Sequence, residues 1–374
     1  MPHPLAAKIC PLPFYHGAIR PNGQVYPCCY FRPSEIPLSL TVKEDHWQQH
    51  EFLEQLRNDM LQGQHIAGCS KCDIDERVMG ASKRLDHLAS VVEVTGRAFE
   101  PPKEPSLRHI DLALSNVCNN RCRMCGPELS TNWYPDARQL GMPISHGVMD
   151  NGDYLNRADF SQLVSAKIIG GEPLLEQAML KQMLTKCTRS KLDLHIVTNG
   201  TCRPDSELVE LIKECKSIEW IISVDAFGGL NDFLRKGSKW TMVADNIAWF
   251  DQNFDQVKIN SVVSVYNVNY LELLPQYLAE HTPRVELEYT MIDGPDWMEL
   301  KHLPVAVKTQ MIRRIKASTE ASVVKIKDLI INQMMQPGDV RVFLDEDQKL
   351  NQLRREHWKQ WNPELAAMLG IDQE

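Results

Sequence analysis

Three cysteines near the middle of the chain have the spacing of a metal-binding loop. Cys118, Cys122 and Cys125 lie in SNVCNNRCRMCG, a C-x3-C-x2-C arrangement that lets three thiolates converge on one metal centre. A structural zinc or iron–sulfur site usually closes with a fourth protein ligand, whereas three ligands leave one metal position open to a substrate or cofactor. The spacing alone also allows a zinc site completed by His109 or a more distant histidine.

The chain has eleven cysteines, and the other eight form two further groups. Disulfides rarely persist in a reducing compartment, so an odd number of closely spaced cysteines indicates metal or redox chemistry rather than a disulfide scaffold. We interpret three of the eight as unreactive, because Cys187 and Cys215 complete apolar helix faces and Cys202 has no clear activating partner. The remaining five all precede residue 100: Cys10, Cys28, Cys29, Cys69 and Cys72.

Composition limits the class of protein. The 374 residues are 43% hydrophobic and 24% charged, as in an ordinary globular protein, and the formal charge of −8 gives no basic field for nucleic acid. The sequence has no run of eighteen or more apolar residues, and MPHPLAAKIC lacks the features of a signal peptide. We therefore expect a cytoplasmic protein without a membrane or nucleic-acid partner.

The central part of the chain predicts repeated βα units. From residue 107 to about 290, short β-branched runs alternate with amphipathic helical runs. Six strands over about 200 residues fall short of an eight-stranded barrel, so we expect a partial (β/α)6 TIM-like barrel, with a doubly wound sheet as the alternative. The six predicted strands are RHIDLAL, AKIIG, LDLHIVTN, IEWIISVD, VKINSVVSV and RVELEYT.

Proline clusters and helical patterns divide the α/β chain into three predicted domains. Pro101, Pro102 and Pro105 favour an extended connection after an N-terminal segment, residues 1–100, whose first 40 residues are turn-rich and irregular. The predicted barrel covers residues 106–303. After Pro304 the pattern is helical, which predicts a C-terminal extension over residues 304–374.

Short polar motifs follow the ends of several predicted strands. Parallel barrels hold their active sites at the carboxyl ends of the strands, so these residues are candidates for binding a cofactor. A tight βα turn or a helix cap would use the same residue types, and that alternative stays open for each motif. The candidates are Gly170, Gly171, Glu172 and Pro173 after the second strand, Asn199 after the third, and Ser223 and Asp225 after the fourth.

From about residue 107 to 300, the chain resembles the radical S-adenosylmethionine superfamily. The resemblance implies that Cys118, Cys122 and Cys125 ligate three irons of a [4Fe-4S] cluster, while the amino and carboxylate groups of S-adenosylmethionine occupy the fourth iron. It also implies that the GGEP of residues 170–173 receives the methionine amino group. The SVD of residues 223–225 would contribute to ribose or carboxylate binding, with Asn199 as a further cofactor-binding residue.

The stretch from SVD to ADNI resembles the corresponding region of anaerobic sulfatase-maturating enzymes. In that family an arginine at the position of Arg235 pairs with the methionine carboxylate, a geometry that suits a guanidinium fork. The alternative is a surface arginine on a helix. The following strand, in KINSVVSVYNVN, is implied to pack against adenine.

The N-terminal segment resembles an auxiliary-cluster domain of the twitch or SPASM-like type, which in the superfamily usually follows the barrel. The resemblance rests on the Gly-x4-Cys spacing from Gly23 to Cys28 and on the C-x2-C pair. A zinc site with the same thiolates is the alternative, and Cys29 could replace Cys28. The implied ligands of a second [4Fe-4S] cluster are Cys10, Cys28, Cys69 and Cys72.

The resemblance predicts an enzyme that cleaves S-adenosylmethionine reductively and abstracts hydrogen from a peptide or protein side chain. An external reductant such as flavodoxin or ferredoxin would supply the electron, and the auxiliary cluster would assist oxidation. Glu288 and Asp293, at or after the end of the last predicted strand, are weak candidates for the base, because solvated loop carboxylates are more common there. The alternatives are a dehydrogenase of a sugar or another small molecule, and a non-catalytic iron–sulfur or zinc protein.

Overall fold

The structure is a computed structural model that describes residues 9–32, 40–44, 46–144 and 147–371. It is a mixed α/β fold, and all six strands predicted from the sequence are present. One eight-stranded sheet has the order β2-β1-β3-β4-β5-β6-β7-β8. The strands are β1 (His16–Ile19), β2 (Val25–Tyr26), β3 (His109–Ala113), β4 (Ser165–Ile169), β5 (Asp193–Thr198), β6 (Ser217–Ser223), β7 (Val257–Val263) and β8 (Glu286–Met291).

Helices alternate with the strands from β3 onward, and a helical region follows β8, as predicted after Pro304. The helices of the N-terminal segment are α1 (Leu12–Tyr15), α2 (Glu51–Leu61), α3 (Ser70–Met79) and α4 (Lys83–Thr95). Those between strands are α5 (Tyr134–Gln139), α6 (Gly152–Arg157), α7 (Gln177–Thr185), α8 (Ser206–Lys213), α9 (Gly229–Leu234), α10 (Trp240–Asn253) and α11 (Leu273–His281). The C-terminal helices are α12 (Val305–Ala317), α13 (Ala321–Met335), α14 (Val340–Arg354) and α15 (Pro363–Met368).

The strand order separates the two predicted α/β architectures. From β3 to β8 the order in the sheet is the order in the chain. A doubly wound sheet reverses the order of its parallel strands at a switch point, and β3 to β8 show no reversal. The reversed pair β2-β1 is antiparallel, so it is not such a switch point. The order is that of successive βα units, as in a barrel.

Strands β1 and β2 were not predicted, because residues 1–40 were expected to be irregular. All four residues of β1 are buried, and the strand pairs in parallel with β3, with His16 opposite His109. β2 pairs antiparallel with β1. A four-residue HGAI strand buried on both faces shows no alternation of apolar and polar residues, so periodicity cannot reveal it.

The chain divides into two compact units. The first comprises residues 1–116, 149–195 and 205–218, and the second comprises residues 117–148, 196–204 and 219–374. The core of the second unit is built from α9, β7, β8 and the C-terminal helices, with Tyr266, Phe343 and Trp358 almost fully buried in it. The predicted domain boundaries at residues 100–106 and 303–304 remain predictions.

Across the described ranges, the structure contains no helix with the length and apolar character needed to cross a membrane.

Candidate metal and cofactor sites

In the second unit, the predicted cysteine loop is fixed mainly by backbone hydrogen bonds. The amides of Arg121 and Arg123 donate to the carbonyl oxygens of Lys236 and Leu234 at 2.7 and 2.8 Å. The indole Nε1 of Trp133 donates to the carbonyl oxygen of Cys122 at 2.8 Å. Residues at and just after the end of α9 therefore hold the loop in place. These residues are more than 100 positions away from the loop in sequence.

The structure brings the three loop cysteines together. Cys118 and Cys122 are buried and Cys125 is half-buried. The Cys125 thiol donates a hydrogen bond to the Cys122 sulfur, which lowers the pKa of Cys122 and raises that of Cys125. Burial and the negative charge of Cys118 raise the pKa of Cys125 further. The amide of Asn120 donates to the Cys118 sulfur at 3.4 Å, so this thiolate would have backbone support.

Arg235 and Asp225 form a buried ion pair beside this loop. Arg235 Nε lies 2.9 Å from Asp225 Oδ2, and Arg235 Nη1 lies 4.0 Å from the sulfur of Cys122. Burial by itself lowers the pKa of Arg235. The negative charges of Asp225 and the thiolates outweigh this effect and raise the pKa above its usual value. Arg235 is only 7% exposed, so the alternative of a surface arginine is wrong.

This ion pair is not aligned as a hydrogen bond. Within the described part of the chain, Arg235 Nε and Asp225 Oδ2 have no hydrogen-bond partner, whereas Asp225 Oδ1 accepts from the amide of Val262 at 2.9 Å. Buried charged groups normally use their hydrogen-bonding capacity, because an unmade bond leaves the cost of desolvation uncompensated. The pair therefore has capacity left to bind a polar ligand.

Asn199 directly follows β5 and Ser223 ends β6, which are the strand-end positions that the sequence predicts. Asn199 Nδ2 donates to Asn119 Oδ1 at 2.8 Å and lies 3.8 Å from the sulfur of Cys118. Its Oδ1 accepts from the hydroxyl of Thr201 at 2.6 Å, so Asn199 also orders its own turn. Ser223 is the last residue of β6, opposite Asn260 in the parallel register.

In the first unit, the GGEP turn is built against the end of β3. Gly170 has φ of +131°, and a Cβ there would lie 2.5 Å from the carbonyl oxygen of Ser115. The amide of Gly171 donates to that oxygen at 2.8 Å. Glu172 is 1% exposed and accepts from the amide of Leu174 at 3.0 Å, capping the short 3₁₀ turn that begins at Pro173. The turn-capping role is present, and the cofactor-binding role of these residues stays a prediction.

Also in the first unit, the N-terminal cysteines form a second group. Cys10 and Cys72 are buried, and Cys28 and Cys69 are half-buried. Burial raises the pKa of Cys10 to about 12, and Cys69 and Cys72 are close enough to raise it as well. Burial also raises the pKa of Cys69 to about 12 and that of Cys28 above its usual value. Cys10 contributes to the effect on Cys28, so all four predicted ligands share one neighbourhood.

Cys28 and Cys29 have different surroundings. Cys29 accepts from the ammonium of Lys83 at 2.8 Å, and Lys83 Nζ also lies 3.5 Å from Asp111 Oδ2. Cys28 interacts with Cys29 and Cys10, and the charge of Lys83 also acts on it. The choice between Cys28 and Cys29 as the fourth thiolate stays a prediction.

Sequence reasoning missed the cations beside these thiols. Arg84 is buried, binds Asp73 and Glu76 at 2.7 Å, and is near Cys10 and Cys69. Lys83 and Arg84 stand at the start of α4, where basic residues are usually solvated, so the sequence carried no signal of this placement.

Among the residues that the structure describes, no three His, Cys, Asp or Glu side chains converge on one position for a metal ion. The metal that each cysteine group would bind stays a prediction.

The remaining candidates have ordinary surroundings. Glu288 lies within β8, which continues to Met291, so its predicted position at the end of the strand is wrong. Its carboxylate is 3.4 Å from Lys258 Nζ. Asp293 is exposed after β8. Burial raises the pKa of Cys187 to about 12 and that of Cys215 to about 11, in agreement with unreactive thiols.

No family model and no curated protein matches the chain. Three similar solved structures are radical S-adenosylmethionine enzymes. Native anSMEcpe, an anaerobic sulfatase-maturating enzyme with bound AdoMet, is 18% identical over 55% of this chain and 59% of its own, with a TM-score of 0.39. SuiB from Streptococcus suis, bound to its precursor peptide SuiA, is 14% identical over 69% of this chain and 61% of its own, with a TM-score of 0.38. TYW1 with a lysine–pyruvate adduct is 14% identical over 75% of this chain and 89% of its own, with a TM-score of 0.33.

Proposed function

We propose that this protein is a radical S-adenosylmethionine enzyme that abstracts hydrogen from a peptide or protein side chain. The observation that carries the proposal is the second unit's cysteine loop, where three thiols lie in one neighbourhood beside the buried Arg235, whose Nη1 is 4.0 Å from the sulfur of Cys122. Three protein ligands leave one iron of a [4Fe-4S] cluster open to a cofactor.

The cysteines and the ion pair have separate tasks in this proposal. When bound, the cluster supplies the electron that cleaves S-adenosylmethionine and yields a 5′-deoxyadenosyl radical. Cys118, Cys122 and Cys125 hold three irons, and the cationic Arg235 offsets the negative charge that their thiolates bring into a buried loop. Arg235 Nε is available to the carboxylate of the cofactor, and Asp225 Oδ2 is available to a hydroxyl or ammonium donor.

The turns after the strands are proposed as cofactor-binding residues from the sequence resemblance. The turn at Gly170 packs too closely on the Ser115 carbonyl oxygen for a side chain, and Glu172 would keep a carboxylate there for the methionine ammonium. Asn199 and Ser223 offer polar side chains at the ends of β5 and β6. Each assignment rests on the resemblance of the motifs in sequence.

The first unit's cysteines would bind a second [4Fe-4S] cluster. Cys10, Cys28, Cys69 and Cys72 supply four protein ligands, so this cluster has no open iron and suits electron transfer. Lys83 and Arg84 place positive charge near the thiolates. A cluster held by these four thiolates would supply a one-electron acceptor for oxidation of the substrate, and a flavodoxin or ferredoxin would be the external reductant.

Anaerobic reconstitution of the protein with iron and sulfide tests the proposal. We expect about eight irons per chain, the content of two [4Fe-4S] clusters. With dithionite and S-adenosylmethionine, we expect release of 5′-deoxyadenosine, measured by chromatography. Zinc in place of iron, or iron without 5′-deoxyadenosine, would contradict the enzyme and favour a non-catalytic metal protein.

Cysteine variants assign the chemistry to one loop. The triple replacement of Cys118, Cys122 and Cys125 by alanine should leave about four irons per chain and no cleavage of S-adenosylmethionine. Replacement of Cys187 and Cys215 by alanine is the matched control and should retain both clusters. Cleavage by the triple variant at the wild-type rate would refute the assignment.

A further inference from the structure

A cavity of the first unit lies away from the predicted cofactor turn. It has a volume of about 900 Å³, and His109, Ser165 and Asp193, the first residues of β3, β4 and β5, contribute to its wall. The GGEP turn follows the other end of β4. A molecule in this cavity would therefore occupy a different place in the unit from one bound at the turn.

The cavity has an apolar and aromatic wall. Tyr15 and Phe99 contribute rings in edge-to-face contact, with centroids 6.1 Å apart, and the buried Leu12 also lines the cavity. From α4, Val91 and Val94 also line the cavity, and Val94 is 81% exposed. This surface can remove an aromatic or aliphatic group from water.

The charged residues of the cavity are mostly basic. Arg97, Arg108 and Lys191 line it, and within the described residues none of them has an ion pair. Lys216 forms an ion pair with Asp193 at 2.8 Å, so these two charges offset each other. The other acidic residue that lines the cavity is Glu100. The local excess of positive charge contrasts with the formal charge of −8 of the chain.

Two histidines add uncharged polar groups. The rings of His87 and His109 are in edge-to-face contact, with centroids 6.1 Å apart. Burial lowers the pKa of both to about 4, so both are neutral at pH 7 and can each donate one N–H. Cavities of 300–1,000 Å³ with apolar walls and a few convergent polar groups are the usual form of small-molecule sites.

We propose that this cavity binds a small organic anion with an aromatic or aliphatic body. The anionic group would lie among Arg97, Arg108 and Lys191, and the body would pack on Tyr15, Phe99 and Val94. The proposal goes beyond the radical reaction and does not depend on it, because no residue of either cysteine group or of the GGEP turn lines the cavity.

A pair of fluorescent probes tests the proposal on the full-length reconstituted protein. 1-Anilinonaphthalene-8-sulfonate carries an aromatic body and a sulfonate, and N-phenyl-1-naphthylamine is the same body without the charge. We expect the sulfonate to bind about tenfold more tightly or better, and S-adenosylmethionine not to displace it. Equal affinity for the two probes would overturn the requirement for an anion.

Two variants locate the binding. Arg97→Glu with Arg108→Glu should weaken sulfonate binding by about tenfold or more, since two attractive charges become repulsive. Lys316→Glu with Lys325→Glu, at exposed positions outside the cavity, makes the same change in net charge and should leave the affinity unchanged. Ala98→Trp at an exposed lining position should block the cavity without a change of charge. Wild-type affinity in both cavity variants, with unchanged circular dichroism, would overturn the proposal.

Discussion

Gly170 is a residue whose missing side chain determines the shape of a turn. Its φ of +131° is a conformation that side-chain-bearing residues rarely adopt, and an added Cβ would lie 2.5 Å from the carbonyl oxygen of Ser115. That oxygen also accepts the amide of Gly171. A substitution at Gly170 must therefore displace backbone from both sides of the turn.

We expect Gly170→Ala to lower the free energy of unfolding by about 2–4 kcal/mol, from strain and from the displaced backbone contact. The matched control is Gly141→Ala, because Gly141 also has positive φ, +67°, but a Cβ there meets nothing within 4 Å. Left-handed strain alone should then cost about 1–2 kcal/mol. Urea denaturation measures both values, and an equal loss in the two variants would show that the close approach to Ser115 has no energetic effect.

Single residues also show what a sequence can and cannot predict. Short motifs propose the cysteine loop, Asp225 and Arg235 as site residues, because ligand spacing is a local property of the chain, and their roles stay predictions. The buried ion pair between Asp225 and Arg235 was not predicted, nor was the contact between Lys83 and Cys29. Both depend on how distant segments pack, and a basic residue in a helix gives the same local pattern whether it is solvated or buried.

At the scale of elements, α14 is joined to the cysteine loop through Arg123. Arg123 lies between Cys122 and Cys125, and its side chain is fully buried. Its guanidinium contacts Asp347 at 3.3 Å and Glu356 at 2.8 Å, and it also binds Asn351. The ring of Phe233 covers it at 3.8 Å. A helix more than 200 residues away in sequence thus supplies the counter-charge inside the loop.

We expect Asp347→Leu to destabilise the conformation of the loop that carries Cys118, Cys122 and Cys125. The change removes one carboxylate from a buried cation and also the acceptor of Tyr266 and Trp358, so we expect a loss of about 3–5 kcal/mol in unfolding free energy. In the reconstituted protein we expect about four irons instead of eight, because the loop no longer holds its three ligands in place.

The control for that experiment is Asp345→Leu, the same replacement at an exposed position of α14. It should keep the wild-type stability and iron content. If Asp347→Leu also retained eight irons and the wild-type electron paramagnetic resonance spectrum, α14 would have no part in forming the cluster site.

Elements differ in how well the sequence predicts them. Strands β3 to β8 were all predicted, since each is a β-branched or aromatic run between helical patterns. β1 and β2 were missed because they are only four and two residues long, and their stability comes from pairing with β3 and with each other. The helices after β8 were predicted as a region, but their contact with the cysteine loop has no local sequence pattern.

At the scale of the whole molecule, the two cysteine groups belong to different compact units. Cys10, Cys28, Cys69 and Cys72 lie in the first unit, and Cys118, Cys122 and Cys125 lie in the second. Each group is formed by residues of its own unit. The loss of one group should therefore leave the other able to bind iron, which is why the triple variant and Asp347→Leu are both expected to retain about four irons.

Global stability should depend on two histidines of the first unit. Burial, with nearby Lys83 and His16, lowers the pKa of His87 and His109 to about 4, against 6.5 for an ordinary histidine, although Asp111 opposes the effect. Between pH 6.5 and 4 the unfolded chain binds protons that the folded chain does not, so stability falls as pH decreases through this window. At pH 5 each of the two half-buried histidines should lower the free energy of unfolding by about 1–2 kcal/mol.

His87→Gln with His109→Gln removes this proton linkage while it keeps polar side chains at both positions. Thermal unfolding at pH 7.5 should find the double variant less stable than wild type, because imidazole packing is lost. The difference should shrink or reverse at pH 5, where only wild type must keep buried imidazoles uncharged. His65→Gln with His281→Gln, at exposed positions, should leave the pH dependence unchanged. A constant difference between wild type and the His87/His109 variant across this range would mean that neither imidazole is held neutral by the fold.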